Sequence, residues 1–255
     1  MSHHIVEVKK LRHAYTDGAV ALKDVSFRIT HGESVAIIGA NGAGKSTLLL
    51  HLNGYLTPSA GEIRIGDMPI TKATVPDIRR TVGVVFQDPN DQLFMPTVFD
   101  DVAFGPYNLG LSGTEVERRV TEALALVGVG HLKEKPSYHL STGEKKRVAI
   151  ATVVSMSPDI LVMDEPTSGL DPHARRQLMA LLRDFKHTRI IASHDLDMVL
   201  ELCDRVIVLH EGEVRGDGPA HEILSNETLL AECRLEKPFS MQGCPVCGKL
   251  SAGHP

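Results

Sequence analysis

Apolar positions along the chain fall into short runs, and the spacing within each run separates strands from helices. Ile5-Val6-Glu7-Val8 and Val25-Ser26-Phe27-Arg28-Ile29 alternate, with a Thr16-Asp17-Gly18 turn between them, which predicts an antiparallel β layer. Residues 34–38 (SVAII), 82–86 (VGVVF), 160–164 (ILVMD), 189–193 (RIIAS) and 206–210 (VIVLH) are instead continuous apolar runs. Such runs suit parallel strands covered on both faces, whose side chains have no wet side to alternate towards. Between about 95 and 155 the period lengthens. Val116, Val120, Leu124 and Val127 recur at helical spacing with Glu and Arg opposite them, which predicts a helical lobe. A further helix is expected over 174–185, with Leu178, Leu181, Leu182 and Phe185 on one face. From Pro238 the chain turns Gly-, Pro- and Ser-rich and reads as a mobile tail. The expected organisation is therefore an α/β domain over 1–237, with the lobe at about 95–155 inserted, followed by a tail over 238–255.

Composition acts mainly by exclusion. With 255 residues, 42% hydrophobic and 23% charged, the chain has the make-up of a soluble globular protein. A formal charge of −5 provides no basic footprint for nucleic acid. No segment approaches the roughly 18 apolar residues of a membrane span. The opening MSHHIVEVKK has no apolar stretch ahead of a cleavage site, so it does not read as a secretory signal. Cys203 and Cys233 are scattered, and Cys244 and Cys247 form one CxxC, which together make no disulfide framework. A soluble, cytosolic protein is expected.

The first chemical signal is Gly39-Ala40-Asn41-Gly42-Ala43-Gly44-Lys45-Ser46-Thr47, which fits G-x-x-x-x-G-K-[ST] after a predicted strand. Glycines let the backbone wrap phosphates and present N–H donors at a helix N-terminus. Lys45 would put a point charge at the β/γ-phosphates, and the Ser46 hydroxyl could bind Mg²⁺. A Gly-rich turn opening an ordinary helix is the plainer alternative, and the strand–loop–helix context disfavours it. The second signal is Asp164-Glu165, ending a buried strand. Asp164 can hold Mg²⁺, and Glu165 can orient or deprotonate an attacking water. Alone, such a pair would read as a solvated turn; beside the cradle, the functional reading wins.

In this order the motifs resemble those of the ABC ATPases, with a P-loop α/β core, an antiparallel β layer and an inserted helical lobe. Leu140-Ser141-Thr142-Gly143-Glu144 is similar to the family's signature, and Gln87 to its Q-loop glutamine. Ser168-Gly169-Leu170-Asp171 resembles the D-loop and His194 the switch histidine, while Tyr15 stands where the family places an aromatic under adenine. For Tyr15, packing in the β layer is the competing reading. The resemblance covers about residues 5–215 and implies ATP hydrolysis with Mg²⁺, the ion held by Ser46, Gln87 and Asp164. It further implies a head-to-tail pair of such domains, a homodimer here, each ATP lying between one cradle and the opposite signature. Ser141 and Gly143 would then offer donors to the γ-phosphate from across the interface. Glu165 would be the base, His194 would hold phosphate and water, and Asp171 would couple the two sites. One residue departs from the pattern: Thr142 stands where the family usually has glycine. If that position needs positive φ or close backbone approach, a β-branched residue is a poor substitute.

A finer resemblance lies in residues 86–94 (FQDPNDQLF), in 96–111 (PTVFDDVAFGPYNLGL) and in 209–224 (LHEGEVRGDGPAHEIL). It is to the energy-coupling-factor importers, most closely the ATPase of cobalt and nickel uptake systems. It implies a place at the cytoplasmic face of the cell membrane, beneath a membrane coupling protein that carries a substrate-binding membrane subunit. Phe94, Met95 and Phe99 would either grip the coupling protein or pack inside the lobe. The alternative function is a non-transport ATPase of ribosomes or DNA. Such proteins usually carry two cradles, or a coiled coil between cradle and signature, and neither is present here. In the tail, Cys244 and Cys247 have the spacing of half a zinc site, with His254 or a second tail able to complete it. Two incidental thiols are the competing reading.

Overall fold

The computed structural model describes residues 4–185 and 187–242. Its antiparallel sheet contains β1 (His4–Ala14), β2 (Val20–Thr30), β4 (Ala60–Ile65) and β5 (Met68–Pro69), in the order β2-β1-β4-β5. Val6 and Val8 point inward, and the next buried positions are Leu11 and His13. The change of parity follows from a bulge at Lys10, whose φ is +47°, between the paired positions Val8 and Leu11. Asp24, with φ +63°, does the same in β2. These bulges break the alternation, which is why the pattern predicts only four or five residues of each 11-residue strand.

The second sheet combines β3 (Ser34–Ile38), β6 (Val82–Val85), β7 (Ile160–Asp164), β8 (Thr188–Ala192), β9 (Arg205–His210) and β10 (Glu213–Pro219). Their order is β10-β9-β3-β8-β7-β6, and all pairs are parallel except β10 with β9. The five continuous apolar runs match five of these strands to within one residue at each end. Both faces are covered. Val35, Ile37, Ile160 and Val162 pack towards the antiparallel sheet and α1 (Lys45–Leu52), while Ala36, Ile38, Leu161 and Met163 pack towards the helices of the other face.

Those helices are α3 (Val98–Asn108), α4 (Gly113–Leu126), α5 (Thr142–Val154), α6 (Pro172–Asp184) and α7 (Leu196–Leu202). Shorter helices α2 (Val75–Thr81), α8 (Ala220–Ser225) and α9 (Glu227–Glu232) complete the set. Val116, Val120, Leu124 and Val127 are all buried in the cluster that joins α3, α4 and α5. The helix after the signature starts at Thr142 rather than at about 145, because Ser141 and Glu144 form a capping box that nucleates it there. The segment after α9 docks on α7: the Phe239 and Ser240 N–H groups donate to the Asp197 carboxylate at 3.0 and 2.9 Å. The expected boundary at residue 237 therefore falls inside a docked segment. Cys244, Cys247 and His254 lie outside the described residues. Among the described residues no helix is long and apolar enough to cross a membrane.

Candidate functional site

In a parallel sheet the carboxyl ends of the strands leave a crevice where loops can bring chemistry together. Here β3 delivers the Gly39–Thr47 loop, β6 delivers Gln87, β7 delivers Asp164 and Glu165, and β8 delivers His194. One cavity of about 420 Å³ is lined by Tyr15, Asn41, Gly42, Gly44, Lys45, Ser46, Thr47, Gln87, Asp164, Glu165 and His194. Gly39, Ala40 and Ala43 build the loop from behind. The Lys45 ammonium donates to the Gly39 and Ala40 carbonyls at 2.8 and 3.3 Å, and Ala43 is buried. Two glycines are required. A Cβ on Gly39 would lie 2.2 Å from the Leu209 carbonyl oxygen, and Gly44 has φ +102° with a Cβ position 2.6 Å from the Ala21 oxygen. Gly44 also caps α1, so the helix N-terminus opens on the cavity.

Tyr15 follows the end of β1 and is 42% exposed rather than packed in the layer. Its hydroxyl lies 2.8 Å from Thr47 Oγ1, which fixes the ring beside the phosphate loop. Beneath it, His13 and His51 are buried and in contact, with His51 Nδ1 2.7 Å from the Thr47 carbonyl. That carbonyl can only accept, so the proton sits on Nδ1, and burial holds the His51 pKa below the usual imidazole value. Neither histidine stands out in the sequence, because lone histidines in apolar surroundings have no spacing to reveal them.

Asp164 is the residue best suited to a divalent cation. Its Oδ1 is buried without a hydrogen-bond partner, and burial raises its pKa, against the pull of the Ser46 hydroxyl and Lys45. A buried carboxylate oxygen lacking a donor, beside a hydroxyl, has the chemistry that suits a hard cation. No group of three His, Cys, Asp or Glu side chains converges among the described residues. Mg²⁺ would thus depend on Asp164, Ser46, Gln87 and the oxygens of bound phosphates, which is how that ion is usually held.

Glu165 is held tightly. Its backbone has φ +47°, a left-handed conformation costing a non-glycine residue about 1–3 kcal/mol and concentrated at functional sites. Its Oε2 accepts from the Ser193 hydroxyl at 3.1 Å and the His194 N–H at 3.3 Å, and lies 2.8 Å from His194 Nδ1. With Nδ1 donating to the carboxylate, His194 keeps Nε2 for whatever occupies the cavity. Asp195 anchors this segment. It caps α7 through the Met198 N–H and takes a two-pronged contact from Arg175 at 2.7 and 2.9 Å. Although burial alone would raise the Asp195 pKa, the Arg175 guanidinium and the cap hold it below the usual carboxylate value. Ser193, Asp195 and Arg175 escaped the sequence reading because none belongs to a spaced motif.

Three expected site residues lie elsewhere. Ser141 caps α5, Gly143 packs against α6 with a Cβ position 3.2 Å from Ala174 Cβ, and Asp171 caps α6 through the His173 and Ala174 N–H groups at 2.8 and 2.9 Å. None lines the cavity around the cradle. Thr142 has no positive φ and occupies the first turn of α5, a position that any residue adopts. Of the two conditions set for a penalty at this position, positive φ is therefore not met. Thr142→Gly is expected to leave the ATPase rate within about twofold and to change stability by less than about 0.5 kcal/mol. Steady-state rates and thermal melts of the two proteins check this.

A neighbouring groove of about 560 Å³ runs between β6, α3 and α5, lined by Arg79, Val84, Phe86, Phe94, Phe104 and Met156 among others. Phe94 and Phe104 are exposed and meet edge to face at 5.2 Å. Of the three expected anchors only Phe94 opens on it. Phe99 packs against the helical core with the Lys133 ammonium 5.0 Å over its ring, and Met95 is half-buried with its N–H on Asp101.

The ABC transporter family model matches residues 22–168. A Geobacter sulfurreducens protein, whose name assigns it to the ABC transporter ATP-binding proteins, is 72% identical over 249 residues, 98% of this chain and 100% of its own. The energy-coupling factor transporter ATP-binding protein EcfA of Methanocaldococcus jannaschii is 47% identical over 92% of this chain and 86% of its own. Among solved structures, CbiO1 of Clostridium perfringens, part of the ABC transporter complex CbiONQ, superposes with a TM-score of 0.79 at 43% identity, covering 90% of this chain and 94% of that one. The dimeric ATP-binding cassette MJ0796, bound to ADP and Pi, gives 0.76 at 30% identity over 84% and 98%.

Proposed function

This chain belongs to the ABC transporter family as an ATP-hydrolysing, ATP-binding subunit, and on that premise we propose that it drives an energy-coupling-factor importer of a transition-metal ion such as cobalt or nickel. Two copies pair head to tail at the cytoplasmic face of the membrane, beneath a coupling protein and a substrate-binding membrane subunit. The observation that carries the pairing is the division of the site. Tyr15, the cradle, Gln87, Asp164, Glu165 and His194 share one cavity, while Ser141, Gly143 and Asp171 sit on helix N-termini outside it. A second copy would bring the missing donors.

Within each composite site, Tyr15 stacks on adenine, and the loop N–H groups with Lys45 hold the phosphates. Asp164, Ser46 and Gln87 would hold Mg²⁺, which would neutralise phosphate charge when bound. Glu165 accepts the proton of the attacking water, and His194 Nε2 donates to the γ-phosphate. Ser141 and Gly143 of the other copy offer donors at the start of α5. The importer class is supported by the EcfA and CbiO1 likeness and by the exposed aromatic groove next to Gln87, which an apolar helix of a membrane partner would fill. With Phe94→Asp and Phe104→Asp together, recovery of membrane proteins with the tagged full chain from detergent-solubilised membranes should fall at least tenfold, with ATP binding unchanged. Undiminished recovery, or recovery of ribosomes or DNA in their place, would overturn the transport assignment.

A further inference from the structure

Two features that work against stability meet in a single hydrogen bond. Lys146 lies on α5, in its first turns, and is only 6% exposed. Its ammonium donates to the Glu165 carbonyl at 2.9 Å and to the Ser168 hydroxyl at 3.0 Å, and among the described residues it makes no ion pair. Burial works against its charge, and the carboxylates of Glu165, Asp88 and Asp164 favour that charge only from beyond ion-pair contact, an arrangement that natural cores avoid. Glu165, its acceptor, is the residue with left-handed backbone at the end of β7. The Glu165 N–H is fixed to the Ala192 carbonyl at 2.9 Å, and its own carbonyl takes the Ser168 N–H at 3.2 Å. Among the described residues, Lys146 is thus the one side chain gripping the strained peptide from another element. The same lysine lines the cavity, of about 560 Å³, that joins Ser46, Gln87 and Asp164 to Thr142, Ser168 and Gly169.

We propose that Lys146 is a positioning residue for hydrolysis: it holds the Glu165 carbonyl so that the loop keeps the turn aiming the carboxylate at His194, and it ties that aim to the signature helix. The proposal rests on the reading of Glu165 as the group that acts on the attacking water. Contacts that the second copy makes at Ser141 and Gly143 reach Glu165 through α5 and this one side chain. The geometry requires a donor at the Glu165 carbonyl, not a charge at the phosphates. A neutral donor of similar reach therefore replaces the lysine, and an apolar side chain does not.

Full-chain Lys146→Met and Lys146→Gln test this by steady-state ATPase kinetics, direct ATP binding and thermal melts. Methionine fills the same space without a charge to bury, so its Tm is expected to equal or exceed the parent's. Its kcat is expected to fall tenfold or more, with KM and ATP affinity within twofold. Lys146→Gln is expected to recover to within about threefold of the parent kcat. A parental kcat in Lys146→Met overturns the proposal, as does a kcat loss that simply tracks a lower Tm. Equal damage in both variants with weakened ATP binding also overturns it, because the charge would then act on phosphate. Glu165→Gln measured alongside separates the two readings. If that variant keeps the parental rate, the assignment of Glu165 fails; if it is inactive while Lys146→Met is not, only the role of Lys146 fails.

Discussion

Glu165→Gln is expected to bind ATP as tightly as the parent and to lose about a hundredfold or more in hydrolysis. General-base removal typically costs 10²–10⁴-fold, and the amide cannot take a proton from water at neutral pH. The substitution leaves the fold in place, since the amide oxygen can still accept from the Ser193 hydroxyl and the His194 N–H, which lie 3.1 and 3.3 Å from Oε2. It also leaves Lys45, Ser46 and Asp164 untouched, so the phosphate and Mg²⁺ contacts persist. Parallel measurement of ATP affinity and turnover checks the result. A variant that hydrolyses ATP at the parental rate removes Glu165 from the chemistry.

Lys45→Ala carries the second large effect. The side chain is 7% exposed and is the one cation lining the phosphate loop cavity among the described residues. Hydrogen bonds from charged donors contribute about 1.5–3 kcal/mol, so ATP affinity is expected to fall about a hundredfold, or about 2.7 kcal/mol. Because the ammonium also binds the Gly39 and Ala40 carbonyls, Lys45→Met, which keeps the volume beneath the loop, controls for looser packing. Affinity retained within about threefold in the alanine variant would contradict the phosphate-binding role.

The parallel sheet is legible in the sequence because strands buried on both faces leave unbroken apolar runs, and β3 and β7 start and stop at the residues the pattern predicts. The antiparallel layer is only half legible. Lys10 and Asp24 bulge their strands and shift the alternation by one, while β5 is two residues long and leaves no period at all. At the site, residues bound to fixed spacings (the cradle, Asp164-Glu165, the signature) declare themselves. Residues that act by tertiary contact do not: Lys146, Arg175, Asp195 and the His13–His51 pair come from separate elements, and only the folded chain puts them under Glu165, His194 and Tyr15. Thr142 shows the reverse case: a departure from a family pattern raises the question of positive φ, and ordinary helical backbone at that position answers that part of it.

The composite site makes a direct demand on mass. Glu165→Gln holds ATP without spending it, so two copies closed on two nucleotides cannot reopen by hydrolysis. Light scattering of that full-chain variant should show one chain of 27.7 kDa without nucleotide and twice that mass with MgATP, two ATP being retained per dimer. A variant that binds ATP fully and stays at the mass of one chain would contradict the shared site.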